Sequence, residues 1–431
     1  MLFGRENFSK KNQGKFLLGY EIGCSHVQIS YKKVGEKDPQ TLSVVAGAEE
    51  YNIPLVLFQS KITKLWYFGK EAVEKAKQEE GNLLSGLWDL VCSKEEIILE
   101  EEKYRTCALL ALFIKKSFSL LSMIAPLDTV AACMFTMEGL NEKKIGKLRE
   151  TIEYLQLPEI EFHFMGKEES FFYYNLHTEM ELWKNNVYLY EMGEKHLVSY
   201  CLGLNRNTSP IVTLIEKKEY PFLKRASSIT IEEREEQDGF FLTYLKEDMK
   251  DKTVSCVYLI GEGFLGEWYQ KSIRFLCTKR RVFLGNNLYS KGACLGLSEW
   301  LMPSDLSKKF VYLGDDKLMA NVGLLVLSRE KEAYLPILDG GNSWYESKGE
   351  WDLILEKEHR LRFRITPLNG KNVVYSEILL HGLTLHPSAY CRIHMEVYME
   401  SREKMVIKIW EKGFGEFFPS SGQYWEERIT I

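Results

Sequence analysis

Two short segments of the chain carry the same residue types at the same spacing. Residues 19–26 read GYEIGCSH, and VYLYEMGEKHLVSY covers residues 187–200. Both contain Glu-x-Gly-x-x-His: Glu21, Gly23 and His26 in the first, Glu191, Gly193 and His196 in the second. Two carboxylates and two imidazoles that converge can hold a borderline cation such as Zn²⁺ or Mn²⁺. Kept apart, they are two turn histidines, each near its own acid. Side chains separated by five residues across a tight hairpin need not point the same way, which makes the second reading the simpler one. The remaining histidines show no ligand spacing, and no Ser-His-Asp or Cys-His arrangement is legible.

The elements that must position these residues follow from periodicity. FLL before the first turn and VQISY after it predict strands at Phe16–Glu21 and Val27–Tyr31, joined at Gly23. Further strands are expected at Leu42–Val45, Pro54–Phe58 and Lys64–Phe68, then a helix over GKEAVEKAKQEE. EEKYRTCALLALFIKKSFSLLSM has helical spacing, TVAACMFTM reads as a buried strand, and NEKKIGKLRETIEYLQL as an amphipathic helix. EIEFHFM and KEESFFYYNLH supply the next strand and helix. After the second hairpin come strands at Ile211–Ile215 and Ser228–Ile231. IEEREEQD reads as a solvated helix start, and VSCVYLIGEG as a buried strand ending in a Gly turn. FLGEWYQKSIRFLC and SKGACLGLSEW read as helices. Beyond Pro303 strand-like runs dominate, which predicts an all-β sandwich. The expected division is 1–302, a linker over 303–309, and 310–431.

Bulk composition narrows the class. The chain has 431 residues, 45% hydrophobic and 27% charged, which suits two or three globular domains. Lys and Arg total 56 against 61 Asp and Glu, a net charge of −5, which argues against a dedicated nucleic-acid binder. Nine cysteines are scattered without a CxxC pair, and the first residues have no apolar signal core, so a reducing cytoplasm is expected. The most apolar segment, TCALLALFIKKSFSLLSMIA, is interrupted by Lys115 and Lys116 and reads as a buried helix, not a membrane span.

The order of these motifs resembles the actin-like ATPase superfamily, and within it the DnaK-type heat-shock chaperones. FLLGYEIGCSHVQISY is similar to their first phosphate hairpin and the Glu191 hairpin to their second. VYLIGEGFLGEWYQKSIRFLC is similar to their adenosine turn, and NNLYSKGACLG to their last connecting helix. AYLPILDGGNSW and the strands that end in ERITI resemble their peptide-binding sandwich, after which the chaperones continue into a helical lid. The resemblance implies an actin-like, ribonuclease H-like two-lobed α/β domain followed by an all-β sandwich.

It also implies roles. Glu21 and Glu191 would hold hydrated Mg²⁺. Gly23, Cys24, Ser25, Gly193, Glu194 and Lys195 would wrap the phosphates of ATP or ADP, and Gly261 and Gly263 would line the adenosine turn. Lys167 or Glu168 falls at the catalytic carboxylate, so the candidate catalytic set is Glu21, Glu191 and Glu168. Leu335, Ile337, Trp344 and Tyr345 would face a bound peptide. The departures matter. Both hairpin acids are Glu where the chaperones have Asp, and Glu262 interrupts the glycine pair. Glu194-Lys195-His196 replaces the small residues whose bare backbone approaches a γ-phosphate. The expectation is a chaperone-like binding or scaffold protein with a protein or peptide partner and a degenerate ATPase cleft. A divergent ATPase controlling the sandwich is the alternative, and an actin-like assembly protein the second.

Overall fold

The computed structural model describes residues 8, 11–45, 47–122, 124–193, 197–221, 230–266, 268–328, 331–356, 359–368, 372–383, 390–416 and 418–431. The chain divides into two compact units, Met1–Tyr312 and Leu313–Ile431. The first is mixed α/β and the second is β-rich.

The first unit contains two six-stranded sheets laid out on one plan. In the first sheet, Phe16–Ile22 pairs antiparallel with His26–Lys33 and parallel with Val130–Met137, which pairs parallel with Glu161–Gly166. In the second, Asn186–Met192 pairs antiparallel with Leu197–Asn205 and parallel with Val254–Ile260, which pairs parallel with Arg281–Gly285. Phe16–Ile22 and Val130–Met137 are buried along their whole length. Continuous apolar runs are what strands covered on both faces require.

The helix Leu288–Leu301 lies across the first hairpin. It approaches so closely that a Cβ at Gly19 would stand 2.1 Å from the Ser290 carbonyl oxygen. The same helix meets Lys167–Leu176 at Gly292, where a Cβ would stand 2.0 Å from the Ser170 carbonyl. Small residues at both crossings let the backbones touch, and that contact fixes where the first turns of the two helices end up.

Several expectations move. Leu42–Val45 is not a strand; the short pairing lies at Gln40–Thr41. The run expected as one helix from Glu101 opens as a strand, Glu102–Arg105, paired with Glu96–Leu99; the helix is Thr106–Ser119. Most of the strand expected at Ser228–Ile231 lies outside the described residues, and its end is helical. Thr230 caps the helix Ile231–Asp248 with a capping box to Glu233, and such local hydrogen bonds outweigh a short apolar run. FLGEWYQKSIRFLC is helical only over Gln270–Leu276, and Arg281–Gly285 is a strand that periodicity does not reveal. The unit boundary falls after Tyr312, past the 303–309 linker, because Phe310–Tyr312 pairs with Ile211–Thr213 as the last strand of the second sheet.

The second unit has two four-stranded antiparallel sheets. One runs Lys331–Leu338, Ala320–Ser328, Arg360–Pro367, Val374–Leu379; the other runs Lys348–Glu356, Tyr390–Met399, Lys404–Glu411, Tyr424–Thr430. Burial alternates along Tyr390–Met399, the signature of a sheet with one face in a core. Among the described residues no helix is long and apolar enough to cross a membrane.

Candidate functional site

The turn of the first hairpin, and Gly193 just after the first strand of the second, line a cavity of about 570 Å³ within the first unit. Each hairpin carries its acid near the end of its first strand, so Glu21 and Glu191 both line the cavity. Between them stands Lys167. Its Nζ lies 2.8 Å from Glu191 Oε1 and 3.5 Å from Glu21 Oε1. The hydroxyl of Tyr289 donates to Glu191 Oε2 at 2.8 Å, and its ring lies 4.5 Å beneath the Lys167 ammonium.

Local structure explains how the lysine arrives there. Glu161–Gly166 ends and the helix Lys167–Leu176 begins at once, so Lys167 is the first helical residue. A cation at the positive end of a helix is locally unfavourable. Glu168 and Glu169 in the same turn offset part of this, and the two hairpin carboxylates offset more. Tyr289 is the second residue of the helix that packs on Gly19 and, through its own Gly292, on the helix Lys167–Leu176, which aims its hydroxyl at the same cluster.

Burial governs the electrostatics. It pushes the Glu21 carboxyl up to about 7; Lys167 opposes that shift and Glu191 adds to it. Burial works against the Lys167 charge, but the two glutamates outweigh it and hold the ammonium above its ordinary range. Burial, with Lys167 nearby, keeps His26 below its ordinary value. The Cys24 thiol is pushed up by burial.

The first turn is closed by the Gly23 N–H donating to the His26 carbonyl at 2.9 Å, and pinned by the Leu55 N–H donating to the Ser25 carbonyl at 2.8 Å. Gly23, Cys24, Ser25, Gly193 and Gly261 all line the cavity, as the motif spacing implies. Gly263 does not; it is buried in the turn. Both glycines of this turn have a packing reason. Gly261 has φ +94°, and a Cβ there would stand 2.4 Å from the Met192 carbonyl oxygen; at Gly263 it would meet the Met192 side chain at 2.2 Å. Glu194 and Lys195, expected to fill the second turn, lie outside the described residues, as does His196. Of the two candidates for the catalytic position, Lys167 lines the cavity and Glu168 does not. Among the described residues no group of three or more His, Cys, Asp or Glu is arranged to hold a metal ion.

Sequence reasoning missed Tyr289, Gln28 and Asn52, all of which line the cavity. Gln28 is buried in the strand after the first turn, and its Nε2 donates to Asn52 Oδ1 at 2.6 Å. A glutamine between the apolar Val27 and Ile29 was the available signal, since burying an amide is unfavourable without a partner.

In the second unit the expected peptide-facing residues separate. Ile337, Trp344 and Tyr345 are buried, and the Tyr345 hydroxyl donates to Asp316 Oδ2 at 3.0 Å. They belong to the packing, which corrects their assignment to a binding surface. Leu335 alone lines a cleft, of about 880 Å³, together with Leu324 and the exposed Leu327 and Ile354.

A comparison with curated proteins gives no match. Residues 317–431, nearly the whole second unit, match the Domain of unknown function (DUF8552). Residues 38–315 match the Family of unknown function (DUF5716) C-terminal; this is more than half of the chain, which therefore belongs to that family.

Proposed function

We propose that the protein is a chaperone-like binding or scaffold protein, built on an actin-like two-lobed domain whose phosphate cleft does not hydrolyse ATP. The repeated sheet plan and the two acid-bearing hairpins around one cavity support the architecture. One observation carries the functional reading: the Lys167 ammonium sits between Glu21 and Glu191. In the chaperones those hairpin acids serve a hydrated Mg²⁺. Magnesium demands near-octahedral oxygen geometry at about 2.0–2.1 Å and keeps several waters. Here one oxygen of Glu191 accepts from Lys167 and the other from Tyr289. A divalent ion would have to displace a buried ammonium or share its space. The residues present therefore do not fit Mg²⁺, and no phosphoryl-transfer step is built on it. Phosphoryl transfer relies on preorganised positive charge around the phosphates, so a cleft without its metal loses most of its catalytic power.

The β-rich unit supports the binding role. Its cleft exposes Leu327 and Ile354 beside Leu335, among the charged Glu332, Asp352, Arg360, Arg362 and Glu377, a mixed surface that supports a protein or peptide partner. Isothermal titration with ATP and Mg²⁺, run beside a phosphate-release assay, tests the first half; tight binding with release of phosphate refutes it. Fluorescence anisotropy with a library of extended apolar peptides tests the second, and no binding by any peptide sinks it.

A further inference from the structure

The sheet that ends in Tyr424–Thr430 carries a row of rings on the face turned away from its core. On the core side of its two central strands, Ile393, Met395, Ile407 and Ile409 are fully buried. On the other face one row crosses all four strands: Asp352 pairs with His394, His394 with Trp410, and Trp410 with Tyr424. Tyr424 is 45% exposed, and His394 and Trp410 are half-buried. The ring centroids of His394 and Trp410 lie 5.8 Å apart and those of Trp410 and Tyr424 5.3 Å, with planes tilted by 41° and 45°. His394 Nδ1 lies 3.2 Å from Asp352 Oδ1, which orients the imidazole.

The next row along the strands supplies polar groups on the same face: Glu350 opposite Glu396, then Lys408, then Glu426. Like charges directly opposite each other across strands are unfavourable, and hydroxyls that donate to both carboxylates relieve that. Cations and anions otherwise interleave among the described residues. Asp352 lies 3.7 Å from Arg392, and Glu426 lies 2.9 Å from Arg428. This pattern complements a neutral partner better than a chain of one charge. A pyranose ring is such a partner: its C–H faces lie against aromatic rings, and the hydroxyls around its rim donate to carboxylates. Because the rings are tilted, the row is not flat, which suits a single flexible chain rather than a crystalline surface.

We propose that this outward face binds a single chain of a neutral polysaccharide. Trp410 is the central contact, His394 and Tyr424 flank it, and Glu350 and Glu396 accept from the sugar hydroxyls. His394, Trp410 and Tyr424 line neither cavity described above, so the inference does not depend on the proposed ATP or peptide chemistry.

The test uses the full chain. Affinity electrophoresis through gels containing soluble starch, laminarin, mixed-linkage β-glucan or galactomannan is run beside heparin and polylysine. At least one neutral polymer should retard the protein, and Trp410→Ala should weaken that binding about tenfold or more, with Trp410→Phe recovering part of it. Tyr375→Ala removes a ring that is 54% exposed on the other sheet and should leave binding unchanged. Should Trp410→Ala fail to fold, Tyr424→Ala, at the exposed end of the row, should weaken binding about threefold or more. No retardation by any neutral polymer overturns the proposal, as does tighter binding of heparin or polylysine. A folded Trp410→Ala with unchanged affinity, or an equal loss in Tyr375→Ala, overturns it too. Apolar peptides in the anisotropy assay should bind Trp410→Ala as they bind the wild type; a variant that loses peptide while no polymer binds reassigns the face to the peptide partner and sinks the polysaccharide.

Discussion

The two hairpins share a register but not a lining. Glu21 pairs across its hairpin with Gln28 and beside Thr136 on the parallel strand; Glu191 pairs with Val198 and beside Ile260. Polar neighbours surround the first acid and apolar neighbours the second. Their hydrogen bonding is reversed: Glu191 takes both a close ammonium and a tyrosine hydroxyl, while Glu21 takes one longer ammonium contact. A repeated backbone plan therefore does not repeat the chemistry. It supplies two equivalent places to mount a carboxylate, and the side chains around each decide what that carboxylate does. The second hairpin anchors the ion cluster, and the first adds one longer contact to it.

The largest break in this comparison comes from removing the shared cation. Lys167→Met leaves buried carboxylates uncompensated and should lower stability by about 3–5 kcal/mol at neutral pH, read by urea unfolding. A loss under about 1 kcal/mol would mean that the ammonium does not hold the hairpins together.

The two acids should then differ from each other. Glu191→Gln weakens contacts to both Lys167 and Tyr289 and should lose about 3 kcal/mol at pH 7.5. Glu21→Gln should be neutral or stabilising there. The reason is linkage. Glu21 is pushed from 4.5 up to about 7 in the folded state, so the folded protein binds that proton more tightly than the unfolded chain. Its contribution to stability therefore falls as pH rises from about 4.5 to about 7, by roughly 3 kcal/mol in all, and is flat outside that window. Subtracting the Glu21→Gln curve from the wild-type curve isolates this slope. A difference that rises with pH would reverse the assignment.

Smaller effects sharpen the role of the turn facing Met192. Gly261→Ala combines a positive φ with a clash on backbone and should lose about 2 kcal/mol; Gly263→Ala clashes with a movable side chain and should lose less. Equal melting temperatures for the two variants would contradict this. The smallest expected change is Gln28→Val, which gives the first hairpin the residue of the second. It removes an unsatisfied acceptor, so stability should shift by less than about 1 kcal/mol in thermal unfolding.

Much of this was legible in advance, for reasons that vary by element. Strands Phe16–Ile22, Val130–Met137 and Val254–Ile260 are continuous apolar runs and announce themselves. Arg281–Gly285 does not: it is a largely exposed edge strand with no period to read. The hairpin acids and glycines were found because a turn preserves their spacing locally. Lys167 was visible only as one of two neighbours, and Tyr289 not at all, because each is more than 90 residues from one of the hairpin acids it serves. Trp344 and Tyr345 were misread because an aromatic pair after a strand looks alike in sequence whether it faces solvent or core.

The sequence by itself determined the local units: two Glu-x-Gly turns between strands, a lysine opening one helix, a tyrosine opening another, and a β-rich final third. Their periodicities and turn residues act over a few positions, and local sterics suffice to set them. Only the tertiary structure decided that Lys167 lies between Glu21 and Glu191, that Tyr289 caps the cluster, and that the Gln28 carbonyl is left without a donor. Those outcomes depend on how closely the helices pack at Gly19 and Gly292, and on how completely the cluster is removed from water. Charge and hydrogen bonding take their strength from that burial, and no single segment of the chain carries it.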